Sequence, residues 1–308
     1  MPAIPLAHLG AGPLEPLQLV AASVAVVLYA LRARELAREG RPVPAARQAS
    51  FHSGVALIVI VLVSPLGHIS NELLFAHMAE HLLMADIGAL LIVVGLTGPL
   101  LAPVLRIRAF DRLRVLAHPA VALPLWAIDL YVWHLPALYQ AALRDNTVHA
   151  LQHTMFITLG VNMWMPLFGP LPMPAWFRNL QRLGYIVAVR LIGAVLGNVF
   201  VWSGTVFYPY YARGEAYWKI SALSDQSTAG AIMMVEGSIL TVCLFAWLFL
   251  RAAREGEERQ DLLDLAGRRG VALTEARADR AVAAGRGEAL RRRIEAGTVV
   301  GGASRSKE

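Results

Sequence analysis

Two short stretches carry imidazoles at helical spacing inside apolar sequence. FAHMAEHLLM places His77 and His81 four residues apart, and VHALQH does the same for His149 and His153. In a helix, residues i and i+4 lie about 40° apart around the axis, so each pair projects from one face. Two such faces turned toward each other would offer four neutral nitrogen donors to one centre. Met84 falls on the face of the first pair. Imidazole with a thioether nearby suits copper, Cu(I) in particular, while imidazole alone also accepts zinc or iron. Acidic residues form a second set: Glu80, Asp86, Asp129, Asp225 and Glu236. Carboxylates in apolar surroundings are costly unless paired, and here they could orient imidazole N–H groups or carry protons. Asp225 has a simpler alternative, because an aspartate just before a helix is a good N-cap.

Other chemistries share these residues. HMAEH has the H-x-x-E-H spacing of inverzincin peptidases, with two zinc-binding histidines and a glutamate base. No third ligand follows it, and the second histidine pair would be left unexplained. Haem is the other alternative: two stacked bis-histidine haems would want histidines far apart along each helix, whereas i, i+4 pairs sit at one depth, so a single haem remains open. The lone cysteine, Cys243, excludes an intramolecular disulfide framework and a CxxC pair.

The elements that must position these groups follow from composition. Of 308 residues, 56% are hydrophobic and 16% charged, against roughly 25% charged in ordinary soluble proteins. The fold class is therefore all-α, a polytopic bundle within a lipid bilayer. Seven apolar stretches approach spanning length, at 15–33, 50–66, 71–96, 119–136, 149–168, 184–206 and 227–251. The net charge of +6 does not point to nucleic acid, because the basic residues lie in short clusters between apolar runs and in a polar tail. RARELAREGR, RIRAFDRLR and the stretch with Arg178 and Arg182 follow the first, third and fifth spans, whereas Ser64 to Ser70 has no Lys or Arg. This asymmetry predicts an N-terminus outside and a C-terminus in the cytoplasm. Residues 1–251 then form the membrane domain and 252–308 a charged cytoplasmic tail with short amphipathic helices and a disordered GGASRSKE end.

That orientation sorts the histidines by depth. His77 and His81 lie in the outer half of the third span, and His149 and His153 at the outer end of the fifth. His134 ends the fourth span on the same side, with His68 in the loop before the third, so both are possible additional ligands. Six of the nine histidines thus face outward; His8, His52 and His118 do not share the setting. TVFYPYYARGEAYWKIS reads either as a docking rim or as an aromatic belt at the membrane interface.

The blocks FAHMAEHLLM, ALRDNTVHALQHTMFITLGVNMWMPLFGP and SDQSTAGAIMMVEGS, in that order, resemble the CtaG-type membrane proteins required for assembly of bacterial cytochrome c oxidase. The resemblance runs from the second span to the seventh and omits the tail. It implies a seven-helix protein of the bacterial cytoplasmic membrane that handles or delivers copper to an oxidase subunit, with an extracytoplasmic copper donor as a further partner. The family's motif histidines fall on His77, His81, His149 and His153, and the aspartate of its DQ block on Asp225. The sequence departs from the family pattern at ADIGALL, after the first pair, and around Met233 and Met234. The expected work is binding and transfer, not catalysis.

Overall fold

The computed structural model describes residues 15–108, 112–283 and 285–297, so His8 and the GGASRSKE end lie outside the described residues. Among these residues the regular elements are all helical. Two compact units divide at Thr241 and Val242.

The first unit begins with α1 (Glu15–Arg38), α2 (Ala45–Val63) and a short α3 (Leu66–Ser70). The stretch with the first histidine pair is not one uniform helix. It runs as α4 (Leu74–His81), a π-helical segment at Leu82–Gly88, and α5 (Ala89–Gly95). A π segment widens the helix and resets which residues share a face, and such segments frequently mark functional sites. After α6 (Gly98–Leu105) come α7 (Pro119–Trp133), α8 (Pro136–Arg144) and α9 (Asn146–Phe168). The predicted fourth span ends early: α7 and α8 are bent by 71°, because Pro136 starts a new helix at its first turn and cannot continue the old one. Then follow α10 (Asn179–Trp202), α11 (Ala212–Trp218) and α12 (Ala222–Arg268).

Seven spans were expected, and the helices support four or five of them by length and composition. Among the described residues four helical segments are long and apolar enough to cross a membrane: Ala45–Val63, Leu74–Gly95, Asn179–Trp202 and Ala222–Arg268. The bent α7–α8 pair makes a fifth if it counts as one span. α1 and α9, at 24 and 23 residues, are long enough to span but are not among these, and α9 carries the polar His149 and His153. Large apolar side chains such as Leu28, Ile60, Val63, Leu191 and Ile239 are exposed, as lipid-facing surface requires.

α9 is the central helix and packs against α7, α8, α5 and the π segment. The approach is close because small residues line it, the usual device where no hydrophobic force joins helices in lipid. A Cβ added at Gly160 of α9 would overlap the Ala85 carbonyl oxygen of the π segment. At Gly54 of α2 it would lie 2.7 Å from the Gly88 carbonyl oxygen. This packing sets the two histidine-bearing helices side by side, which spacing along the chain could not establish.

The second unit holds the C-terminal part of α12 with α13 (Glu275–Ala283) and α14 (Gly287–Glu295). They close on a small core of Leu262, Ala266, Val282, Leu290 and Ile294. DLLDLAGR is the end of α12, which continues past the apolar run because i, i+4 pairs such as Arg251–Glu255 support it.

Candidate functional site: a buried histidine cluster

The four predicted imidazoles form a closed ring of neighbours. Ring centroids are 4.3 Å apart for His77 and His81, 5.4 Å for His77 and His149, 5.2 Å for His81 and His153, and 4.2 Å for His149 and His153. His77, His81 and His149 each offer a nitrogen within 4.8 Å of the other two. Nitrogens bound about 2.0 Å from one ion lie at most about 4 Å apart, so side-chain adjustment of under about an ångström gathers all three. His153 stands at the edge of this group.

Burial and hydrogen bonding show which nitrogens are available. His77, His81 and His153 are 0%, 7% and 4% exposed, while His149 is partly open. The Nδ1–H of His77 donates to the Ser70 carbonyl at 3.3 Å, which leaves Nε2 with its lone pair, the form a metal requires. That Nε2 is buried without a hydrogen-bond partner, as are both ring nitrogens of His81 and the Nε2 of His149 and His153. Buried polar atoms are normally satisfied, so this concentration of unpartnered nitrogens has the donor chemistry to hold a cation.

The helices that carry the rings are held at their N-termini by carboxylates. Asp145 caps α9 locally, its Oδ1 accepting from Thr147 N at 2.7 Å and Val148 N at 3.1 Å. The backbone N–H groups of Val148 and Thr147 hold the Asp145 carboxyl below its ordinary range. α4 has no such local cap, since Leu73 occupies that position. Its free N–H groups go instead to Asp225 on α12: Leu74 N donates to Oδ2 at 2.8 Å and Phe75 N to Oδ1 at 2.9 Å. Asp225 lies inside the first turn of its own helix and caps another one.

Aromatic side chains wall the cluster. Tyr139 lies 5.1 Å from the His77 ring and stacks on Tyr208 at 4.0 Å, and its hydroxyl is 3.0 Å from that of Tyr211. Phe156 sits 4.8 Å from His81 and 6.0 Å from His134. His134 thus borders the cluster across Phe156 and Tyr139; its Nδ1–H donates to the Leu130 carbonyl at 2.6 Å. Tyr208 and Tyr211, expected at a rim or belt, turn inward and are 2% and 1% exposed. These tyrosines were missed as site residues because a tyrosine-rich loop reads as interface.

The remaining predicted residues are dispersed. Met84 lies in the apolar cluster with Ile58 and Val61, carried there by the π segment that follows His81. The side chain of His68 lies outside the described ones. Glu80 is buried on α4, and Asp129 is buried one turn before Trp133 on α7. Asp86 and Glu236 meet Arg190 of α10, which the sequence reading overlooked within an apolar run. Arg190 Nη1 is 2.7 Å from Asp86 Oδ2 and 3.7 Å from Glu236 Oε2. The guanidinium also lies 5.2 Å over the Trp164 ring, whose Nε1–H donates to the Asp86 carbonyl at 3.0 Å. The structure therefore pairs Asp86 with the Arg190 guanidinium, and Glu236 lies beside that pair. His52 packs on Tyr29 and Phe51, and His118 caps α7, away from the cluster.

Apolar helices with lipid-type surfaces around an imidazole-lined centre define a multi-pass membrane protein. Residues 27–255 match the family described as cytochrome c oxidase caa3 assembly factor, and the chain belongs to that family. It is similar to uncharacterised proteins of Mycobacterium bovis and Mycobacterium tuberculosis, at 23% identity over 249 residues, covering 75% of this chain and 38% of each relative. A third uncharacterised relative, from Mycobacterium leprae, is 21% identical over 240 residues, 71% of this chain and 36% of that protein. The chain thus spans less than two fifths of the length of these relatives. No solved structure matches it.

Proposed function

We propose that the protein is a cytochrome c oxidase assembly factor of the bacterial cytoplasmic membrane that holds Cu(I) as cargo at His77, His81 and His149 and passes it to an oxidase subunit. The observation that carries this reading is the trio of nitrogens within 4.8 Å, two on buried rings and one on the partly open His149, with ring nitrogens that lack hydrogen-bond partners. Three neutral imidazoles leave one net charge on a bound monovalent ion and two on a divalent one. The cost of burying charge rises steeply with its magnitude, which favours the monovalent ion, while imidazole itself accepts copper, zinc or iron. His149, the partly open member, is where a donor exchanges its ligand, and His153 beside it supplies an alternative nitrogen during transfer.

The loop charges support a site facing the extracytoplasmic side and a C-terminus in the cytoplasm. A periplasmic or other extracytoplasmic copper donor then meets the site directly. The work is capture and release: copper–imidazole bonds break as the recipient's own ligands bind the ion, and no covalent bond of the recipient's chain is made or broken. The test is metal retention by the purified full chain: the wild type competes with a Cu(I) chelator, and a variant with His77→Ala and His149→Ala does not. Equal competition by the two would overturn the assignment.

A further inference from the structure

The neighbouring residues Asp225 and Gln226 touch no imidazole, yet between them they grip both sides of His77. Asp225 takes the two N–H groups at the start of α4. His77 belongs to the first turn of that helix, with its own N–H bonded to the Leu73 carbonyl at 3.2 Å. Its ring is fixed by the Ser70 carbonyl immediately upstream. The backbone stretch from residue 70 to 77 therefore depends on a cap that the local sequence does not provide. Unsatisfied N–H groups in a buried first turn are costly, and without a cap the turn frays.

Gln226 holds the other side. Its Oε1 accepts from Phe207 N at 2.9 Å, and its Nε2–H groups donate to the carbonyls of Thr205 at 3.1 Å and Phe200 at 3.5 Å. This pins the segment that brings Tyr208 onto Tyr139, the ring against His77, and the Tyr208 hydroxyl onto the His134 carbonyl at 2.7 Å. Asp225 and Gln226 are 0% and 1% exposed, so water does not replace either grip. His81, a turn further along α4, and His149, on the locally capped α9, have no comparable dependence on α12.

We infer that Asp225 and Gln226 are positioning residues for the metal centre: from α12 they set the place of His77 alone among the three ligands, Asp225 through the backbone of α4 and Gln226 through the tyrosine wall. The inference rests on the copper reading of the cluster. Outer partners that orient a metal ligand are worth about 10- to 100-fold in metal affinity.

The experiment loads wild type, Asp225→Ala, Asp225→Asn and Gln226→Leu with Cu(I) alone and measures affinity by chelator competition and imidazole coordination by copper K-edge X-ray absorption. Asp225→Ala is expected to bind about 10- to 100-fold more weakly, with one imidazole fewer around copper, while the His149 contribution persists. Asp225→Asn keeps one of two acceptor oxygens and falls between alanine and wild type; Gln226→Leu weakens binding in the same direction. Wild-type affinity with an unchanged imidazole count in Asp225→Asn and Gln226→Leu would overturn the inference, and these variants carry the test where Asp225→Ala does not accumulate. Failure of the wild type itself to bind Cu(I) would instead sink the copper reading, which separates the two claims.

Discussion

Replacing Arg190 by methionine would remove the guanidinium that Asp86 and Glu236 share. The Arg190, Asp86 and Glu236 side chains are 13%, 11% and 15% exposed, so water cannot solvate the carboxylates left behind. Removing one partner of a buried ion pair costs about 3–5 kcal/mol, mainly because the surviving charge stays buried and uncompensated. Both Arg190 Nη atoms reach Asp86, at 2.7 Å and 3.4 Å, so Asp86 bears the loss. That range shifts the folding equilibrium by about two to three and a half decades at 1.4 kcal/mol per decade. Asp86 lies in the π segment that follows His81, so the same loss loosens the segment on which the first histidine pair stands. The assay is thermal unfolding in lipid nanodiscs of wild type, Arg190→Met, and the triple variant Arg190→Met, Asp86→Asn, Glu236→Gln. The single variant should lose most of its stability and the triple variant recover much of it, because neutral amides carry no buried charge. An Arg190→Met protein as stable as wild type would refute the electrostatic reasoning.

Two further perturbations address the frame of the site. Gly160→Val places side-chain atoms into the Ala85 carbonyl, so overpacking of about 1–3 kcal/mol is expected; it should lower the unfolding midpoint and weaken Cu(I) competition together, whereas Gly193→Val, where a Cβ meets nothing within 4 Å, should do neither. Asp145 tests the cap of α9 through pH. Its carboxyl lies below the ordinary 3.8 when folded, so its stabilisation is present above that value and disappears as pH falls through the lower folded value. Asp145→Ala should therefore melt earlier than wild type at pH 7, with the gap closing on acidification below about pH 3.8; a gap independent of pH would contradict the cap.

The sequence made the histidine pairs legible because helical periodicity is local: four residues apart is one face, whatever the fold. It could not place the pairs opposite each other, since that depends on Gly160 meeting Ala85 across two helices. Asp225 was visible as a polar residue near a helix start, but its partners, Leu74 and Phe75, lie about 150 positions away on another helix. Leu82–Gly88 reads as ordinary helix, and only its π geometry takes Met84 into the cluster with Ile58 and Val61. Arg190 sits in an apolar run, and its partners Asp86 and Glu236 come from two other elements, so charge neutralisation was invisible one segment at a time. α9 reads as less apolar than the four spanning segments for a related reason: its histidines lower the hydropathy of the stretch they make functional.

The central claim is that three imidazoles hold one monovalent copper. Copper K-edge X-ray absorption of Cu(I)-loaded, purified full-length protein, read beside the optical spectrum of the same sample, tests it most directly. The expected result is nitrogen coordination with imidazole scattering from three rings, no sulfur ligand and no Soret band, all lost when His77 and His149 are replaced together by alanine. Sulfur coordination, a Soret band in freshly purified protein, or undiminished copper in the double variant would contradict the account.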